Sequence, residues 1–254
     1  MFDVLTPLAQ AAGDLALQHF GRLAEGDVAQ KAPLDLVTEA DRAVEALILA
    51  RLQAAFPQDG VLGEEGGKVA AASGRVWVID PIDGTFNFVR GGAQWAVSIG
   101  LWQDGQPVLG VVYAPVLGLT LTGGVGHAPL LNGRALPGLT AYRADRAAVG
   151  VALSPAVPIE VRQGILTALM AAQIKFRVCN ATTISLLEVA TGEVDAHLGY
   201  GERAWDVMAA WPVLQALGAE ATLDWAATPL DATLRYVLGK PGAVAACRGL
   251  LDQG

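Results

Sequence analysis

Residues 77–88 read "WVIDPIDGTFNF". An apolar run fit for burial ends in two aspartates, Asp80 and Asp83, with Pro81 between them. Pro81 has no N–H and a fixed φ, so a regular strand is not expected to continue through it. The chain is expected to turn at 80–84, with Gly84 supplying the backbone angles of a tight turn. This sets two carboxylates at the carboxyl end of a core strand, where open sheets bind ligands. The N–H groups of Gly84 and Thr85, at a turn or helix start, suit an anion. A simple turn needs one capping aspartate and has no use for the whole Asp-Pro-Ile-Asp-Gly-Thr set.

A second acidic element is "VLGEEGG", residues 61–67, which holds Glu64 and Glu65 between glycines. A third is "RAWDVMAAWPVLQALGA", residues 203–219, where Asp206 opens an almost wholly apolar run. Taken singly, these read as a solvated loop and a helix N-cap. Taken together, Glu64, Asp80, Asp83 and Asp206 have another reading. Carboxylates gathered in one cleft repel: at an effective dielectric near 20, a pair ~4 Å apart costs about 4 kcal/mol. Divalent cations relieve this at neutral pH, and all-oxygen ligands suit Mg²⁺, Mn²⁺ or Ca²⁺ rather than zinc. Mg²⁺ keeps waters and recruits substrate phosphate. Thr38-x-x-Asp41 fits a capping box, and Asp41 could instead orient the Thr85 hydroxyl for water activation. His19, His127 and His197 lie outside these motifs and are read as structural.

The 254 residues suit one large domain or two small ones packed together. An apolar fraction of 53% predicts a sizeable core. The formal charge is −8, and the 17 basic residues are scattered, so nucleic acid and anionic membranes are not expected partners. Cys179 and Cys247 make neither a disulfide framework nor a zinc motif. The N-terminus has no basic n-region, and no apolar run reaches the ~18–20 residues that span a bilayer. A soluble cytoplasmic protein is expected.

Apolar spacing predicts helices at 3–20 and within 35–57, the latter capped by Thr38. "RVWVI" reads as a buried strand. "QWAVSIGLW" and "PVLGVVYAP" read as a hairpin turning at Asp104-Gly105, and "GLTLTG" and the Asn132-Gly133 turn continue the antiparallel character. Beyond residue 140 short strands ("AAVGVAL", "IKFRV", "EVDAHL", "LRYVLG") alternate with helical runs at 158–172, 182–191, 206–218 and 241–251. We expect an N-terminal α+β part, 1–140, with a largely antiparallel sheet and most metal ligands. A C-terminal α/β part, 141–254, with a mixed sheet would supply Asp206.

At these motifs the chain resembles the inositol monophosphatase family of Mg²⁺-dependent, lithium-sensitive phosphatases. "WVIDPIDGTFNF" matches the first family signature and "WDVMAAWPVLQALGA" the second, with Met208 where a small residue is usual. "GEEGG" and "DLVTEADRAVE" match the flanking elements in order. The likeness runs from about residue 2 to 250. It implies a layered α-β-α-β-α sandwich of the inositol monophosphatase/fructose-1,6-bisphosphatase type, and a homodimer. It implies two or three Mg²⁺ ions on Glu64, Asp80, Asp83, Asp206 and the Ile82 carbonyl. Gly84 and Thr85 would hold phosphate. Asp41 would bond Thr85, which with Glu64 would position the attacking water, and Glu65 would stand behind the ligands.

Departures fall where substrate is chosen. Family members commonly carry an acid seven residues before the second-signature aspartate, and it grips sugar hydroxyls. Here that position is Gly199, leaving Glu202 or Arg203 as substitutes. The usual Gly-Ser/Thr-Ala-Ala segment is "NATT", where Asn180 and Thr182 could reach a polyol but are expected to cap the next helix. Phe86 stands where bisphosphate nucleotidases and histidinol-phosphate phosphatases often carry Lys or Arg, so no second charged phosphate pocket is expected at that point. The reading is a phosphomonoesterase for a small polyol or sugar phosphate, inositol monophosphate first. Histidinol phosphate, a bisphosphorylated nucleotide or fructose 1,6-bisphosphate are the alternatives within the superfamily. A non-catalytic binding module and a metal-free anion binder are the alternatives outside it.

Overall fold

The computed structural model describes residues 1–22, 26, 28–32 and 35–252. Helix α1 (Phe2–His19) is followed by a hairpin of β1 (Val28–Ala32) and β2 (Asp35–Thr38). Thr38 then caps α2 (Glu39–Ala55). Strands β3 (Gly60–Gly63), β4 (Lys68–Val69) and β5 (Val76–Asp83) lead to the short α3 (Thr85–Val89). Next come β6 (Ala96–Gln103), β7 (Gln106–Ala114), β8 (Leu119–Gly124), β9 (His127–Leu131) and β10 (Arg134–Ala135). The second half holds β11 (Ala148–Leu153), α4 (Ile159–Ala171), β12 (Lys175–Arg177) and α5 (Thr182–Thr191). It continues with β13 (Ala196–Glu202), α6 (Ala204–Val207), α7 (Trp211–Ala216), β14 (Glu220–Ala221), β15 (Leu234–Gly239) and α8 (Pro241–Cys247).

The larger sheet has strand order β10-β9-β8-β7-β6-β5-β3-β4, antiparallel except for β3 beside β5. The smaller has order β12-β11-β13-β15-β14 and is mixed. β5 shows why its sequence is uniformly apolar. Trp77 and Ile79 face α1 and α2, packing with Leu5, Leu8, Val44 and Ile48, while Val78 faces the opposite layer. Both faces are covered, so the polar half of a period-2 pattern is missing. Below Val78 lie α5, α6 and α7, with Leu186, Val207, Met208 and Leu214 reaching Tyr236 and Leu238 of the smaller sheet. α4 and α8 close its far face through Ile165, Leu169 and Val244 over Val149, Leu198 and Val237. The result is an α-β-α-β-α sandwich, as expected. No described helix is long and apolar enough to cross a membrane.

Three local expectations need correction. β5 does not stop at Pro81: it pairs with β6 up to Asp83, with a register shift between Asp80 and Asp83. Three residues of β5 span two of β6, a β-bulge that tolerates a proline without an N–H. The turn comes at Gly84, in the left-handed region at φ 93°. The run 206–218 is not one helix; α6 ends at Val207 and α7 begins at Trp211. Pro212 sits in the first turn of α7, the one place where a helix accepts it freely. The strand sought at "EVDAHL" begins only at Ala196, because Asp195 is occupied at a crossover: its carboxylate accepts the Ala148 N–H and the Lys240 ammonium.

Candidate metal and phosphate site

The β5 bulge aims its two aspartates into the gap between the layers. Asp80 Oδ1 accepts the Ile82 N–H at 3.0 Å, which holds the bulge closed. Asp83 Oδ2 accepts the Thr183 N–H at 2.6 Å and also the Thr183 hydroxyl. Asp206 comes from the first turn of α6, where its Oδ2 accepts the Arg203 N–H at 2.7 Å. Its capping role and its place in the site are therefore compatible. One carboxylate oxygen from each of Asp80, Asp83 and Asp206 lies within 4.8 Å of the other two. Residues 80 and 206 are thus brought together by the sheet and the middle helical layer.

What holds α6 there is a close approach of backbones. Ser98 on β6 donates to the Trp205 carbonyl at 3.1 Å. Gly100 and Gly110, paired across β6 and β7, lie directly under Met208 and Ala209. Met208 is fully buried in this contact, so its departure from the usual small residue belongs to the core.

Electrostatics mark the cluster as short of positive charge. Burial, then the charges of Glu64, Asp83 and Asp206, push the Asp80 carboxyl well up. Burial, then Glu202 and Asp83, do the same to Asp206. Burial raises Asp83 to about 6, against the lowering effect of the Thr183 bonds. Burial raises Glu64 to about 7 although Lys31 opposes it. Lys31 Nζ bonds Glu64 at 3.2 Å and Glu65 at 2.6 Å, so its charge serves the loop. Oxygen donors, gathered and uncompensated, fit a hard divalent cation.

Beside the acids, the two readings of Asp41 prove to be one arrangement. Its Oδ2 accepts from the Thr38 N–H and hydroxyl in the capping box. Its Oδ1 accepts from the Thr85 hydroxyl at 3.2 Å. The Ile82 carbonyl is the competing acceptor for that proton, at 3.0 Å. A side chain on Gly84 would place Cβ 2.8 Å from both the Ala181 Cβ and the Gln94 carbonyl, so only glycine makes this turn.

The substrate residues inferred from sequence are redistributed. Asn180 and Thr182 do not cap α5, whose N-cap is Ala181 without a side-chain bond. Asn180 sits in the left-handed region beside Gly84 and lines the cleft. Thr182 donates inward to Glu202. Glu202 is buried and also accepts from Tyr236 at 2.6 Å and meets His197 Nε2 at 3.3 Å. Burial works to raise it, but His197 and the bonds from His197, Thr182 and Tyr236 hold it below the usual range. A Cβ at Gly199 would lie 1.9 Å from Glu202 Oε2. The glycine at 199 therefore makes room for Glu202, and Glu202 faces the core instead of a sugar. Arg203 is exposed, its guanidinium on the Asp231 carbonyl.

Sequence reasoning missed Thr183, Lys31, Glu45 and Arg162. Glu45 is buried and accepts the N–H groups of Glu65 at 2.7 Å and Gly67 at 2.8 Å, clamping the loop that carries Glu64. Its signal was available: Asp41 and Glu45 are like charges four apart on one helix face, which is unfavourable unless each has partners. Glu45→Gln keeps one acceptor oxygen for two donors. We expect it to weaken Mg²⁺ affinity about tenfold, as loss of a supporting contact behind a ligand does, with little change in melting temperature. Calorimetric Mg²⁺ titration checks this, and unchanged affinity would remove Glu45 from the account.

Residues 1–253 match the inositol monophosphatase family. The Nus factor SuhB of Escherichia coli strain K12 is 32% identical over 216 residues, covering 82% of this chain and 79% of its own. The structure of the extragenic suppressor protein suhB from Bartonella henselae aligns with a TM-score of 0.89 at 25% identity, covering 100% of this chain and 98% of that one. An inositol monophosphatase structure from Anabaena (Nostoc) sp. PCC 7120 aligns with a TM-score of 0.81 at 28% identity, over 99% and 95%. The chain belongs to the inositol monophosphatase family.

Proposed function

We propose that this protein is a Mg²⁺-dependent phosphomonoesterase for a small polyol or sugar phosphate, with inositol monophosphate as the reference substrate. The observation that carries this reading is the convergence of Asp80, Asp83 and Asp206. With Glu64 and the Ile82 carbonyl, they would hold the metal. Bound there, Mg²⁺ supplies charge neutralisation and Lewis-acid chemistry for hydrolysis of the ester. The chain's own groups do the positioning. With the Ile82 carbonyl engaged on the metal, the Thr85 hydroxyl would donate its hydrogen bond to Asp41, leaving its oxygen to accept from a water and orient it. Glu64 shares the cleft with Thr85 and would accept the other hydrogen bond of that water. The N–H groups of Gly84 and Thr85 open α3, where helix donors lack partners inside the helix. Glu65 stands behind Glu64, tied to Lys31 and to Glu45.

Phosphate release from inositol monophosphate, histidinol phosphate and a 3′,5′-bisphosphorylated nucleoside, each with Mg²⁺, with lithium and with EDTA, tests the reading. Undiminished hydrolysis in EDTA would refute it. The name of the Escherichia coli relative supports a second reading, a non-catalytic binding role on this fold. Metal binding without turnover on any ester would favour it. Ile159, Met170, Phe176 and Val178 leave large apolar side chains exposed along α4 and around β12, which supports a homodimer. Sedimentation measures that directly.

The acid cluster also sets a pH dependence. Asp80, Asp83, Asp206 and Glu64 all have carboxyl groups raised in the folded state. Between the unfolded value near 4 and the folded values, the folded chain holds more protons than the unfolded one, so stability falls as pH rises. Metal-stripped protein is expected to melt several degrees lower at pH 8 than at pH 5. Saturating Mg²⁺ should raise the melting temperature more at pH 8. Equal Mg²⁺ stabilisation at both pH values would contradict a shared carboxylate site.

A further inference from the structure

Resting on the phosphatase reading, we infer that Arg162 is a docking site for a second anionic group on the substrate, so that the preferred ester carries two anions. The cleft that contains Glu64, Gly84 and Thr85 has a volume of about 400 Å³ and is also lined by Phe86, Leu153, Asn180 and Arg162. Arg162 is the single cationic residue among those lining it. The side chain comes from α4, three residues before the buried Ile165, and so lies on the face that carries the core stripe. Its Nε is buried and has no hydrogen-bond partner among the described residues. A buried donor is normally paired, and a guanidinium most of all. None of the other lining residues bonds Arg162: Leu36, Phe86, Leu153 and Pro155 are apolar, the Asn180 backbone carbonyl accepts from Asn87, and Glu64 is tied to Lys31.

Apart from Glu64, no residue lining the cleft offers a carboxylate to the hydroxyls of a neutral polyol. Gly199 brings no acid, and Glu202 is turned inward to Thr182, His197 and Tyr236. Hydroxyl recognition by a carboxylate is therefore absent among these residues, and a planar fork of donors is present. That fork matches a phosphate or carboxylate. Phe86 leaves position 86 uncharged, and the cation enters the same cleft from α4.

The test uses the full-length protein with Ca²⁺ as a metal that permits binding measurements, and calorimetry with three probes. These are myo-inositol 1-phosphate, fructose 1,6-bisphosphate and 3-phosphoglycerate. We expect the bisphosphate or the phosphoglycerate to bind roughly tenfold or more tightly than the monophosphate, the effect of one charge-assisted bond pair. Whichever of the two wins identifies the second anion. Arg162→Met should abolish that difference while leaving monophosphate affinity within about twofold, and Arg162→Lys should restore part of it. Equal affinity for all three probes, or an equal loss on all three in R162M, overturns the proposal. So does an R162M variant that keeps its preference but changes its sedimentation, since Arg162 would then belong to a contact between copies. Hydrolysis with Mg²⁺ is scored separately. Arg162-dependent preference without hydrolysis sinks the phosphatase reading alone, and hydrolysis without that preference sinks this one alone.

Discussion

Asp83→Asn is expected to lower phosphate-ester hydrolysis by about a thousandfold or more, because about 4 kcal/mol of metal-derived charge stabilisation depends on this carboxylate. The fold should not suffer. Asparagine keeps a carbonyl oxygen for the Thr183 N–H and hydroxyl, the two donors that now meet Asp83 Oδ2. It also removes one of the charges that raise Asp80 and Asp206. The metal-stripped variant at pH 8 should therefore melt at or above the wild-type temperature, while its Mg²⁺ stabilisation shrinks. A ligand and a structural residue differ in just this pairing of effects. If D83N lost activity and melted well below wild type without metal, Asp83 would be a scaffold residue and the metal site would need another centre. Activity and melting curves on the same preparation decide the matter.

The same carboxylates show where sequence was legible and where it was not. The αβ layering could be read because it rests on period and turn chemistry. The Asp104-Gly105 hairpin and the α5 boundaries at 182–191 depend on local preferences alone. Glu64, Asp80, Asp83 and Asp206 could be read as a set because isolated charge beside apolar runs is costly and demands a reason. The path of β5 through Pro81 could not be read. A bulge depends on the partner strand, and β6 supplies Ser98 and Ala96 from fifteen or so residues away. Sequence alone sets cap against site at Asp41, but a carboxylate has two oxygens and uses one for each. Glu202 was legible as an acid near the site but not in its direction. That direction follows from Tyr236 and His197, on β15 and β13, which meet only when the small sheet forms. Arg162 does not stand out among scattered basic residues, although its register three before Ile165 sets it on the inner face of α4.

Gly110→Ala is expected to be strongly damaging, because its Cβ would approach backbone more closely than at any other described glycine. A Cβ at 110 would lie 2.0 Å from the Ala209 carbonyl oxygen and 2.5 Å from its carbonyl carbon and Cα. No side chain can swing away to relieve that, because every one of those atoms is backbone. Gly110 does not adopt a left-handed φ, so the effect is steric and not conformational. Gly100, its cross-strand partner, is nearly as tight, with Ala209 N at 2.9 Å. The segment 208–210 must lift off the sheet, and with it α6. Overpacking of this kind costs about 3 kcal/mol. For a chain of this size, that lowers the melting temperature by about 6–12 °C. Asp206 lies three residues before Ala209, and a displacement near 1 Å at a reacting centre costs about a hundredfold in rate. Gly138→Ala is the control, since its Cβ would meet nothing closer than 3.6 Å. G138A should match wild type in both measurements. G110A should fail in both, with its activity loss exceeding its loss of folded protein at the assay temperature. If G110A melted and turned over as G138A does, the glycine pair would not be what seats α6, and the placement of Asp206 beside Asp80 and Asp83 would depend on the Ser98–Trp205 bond alone.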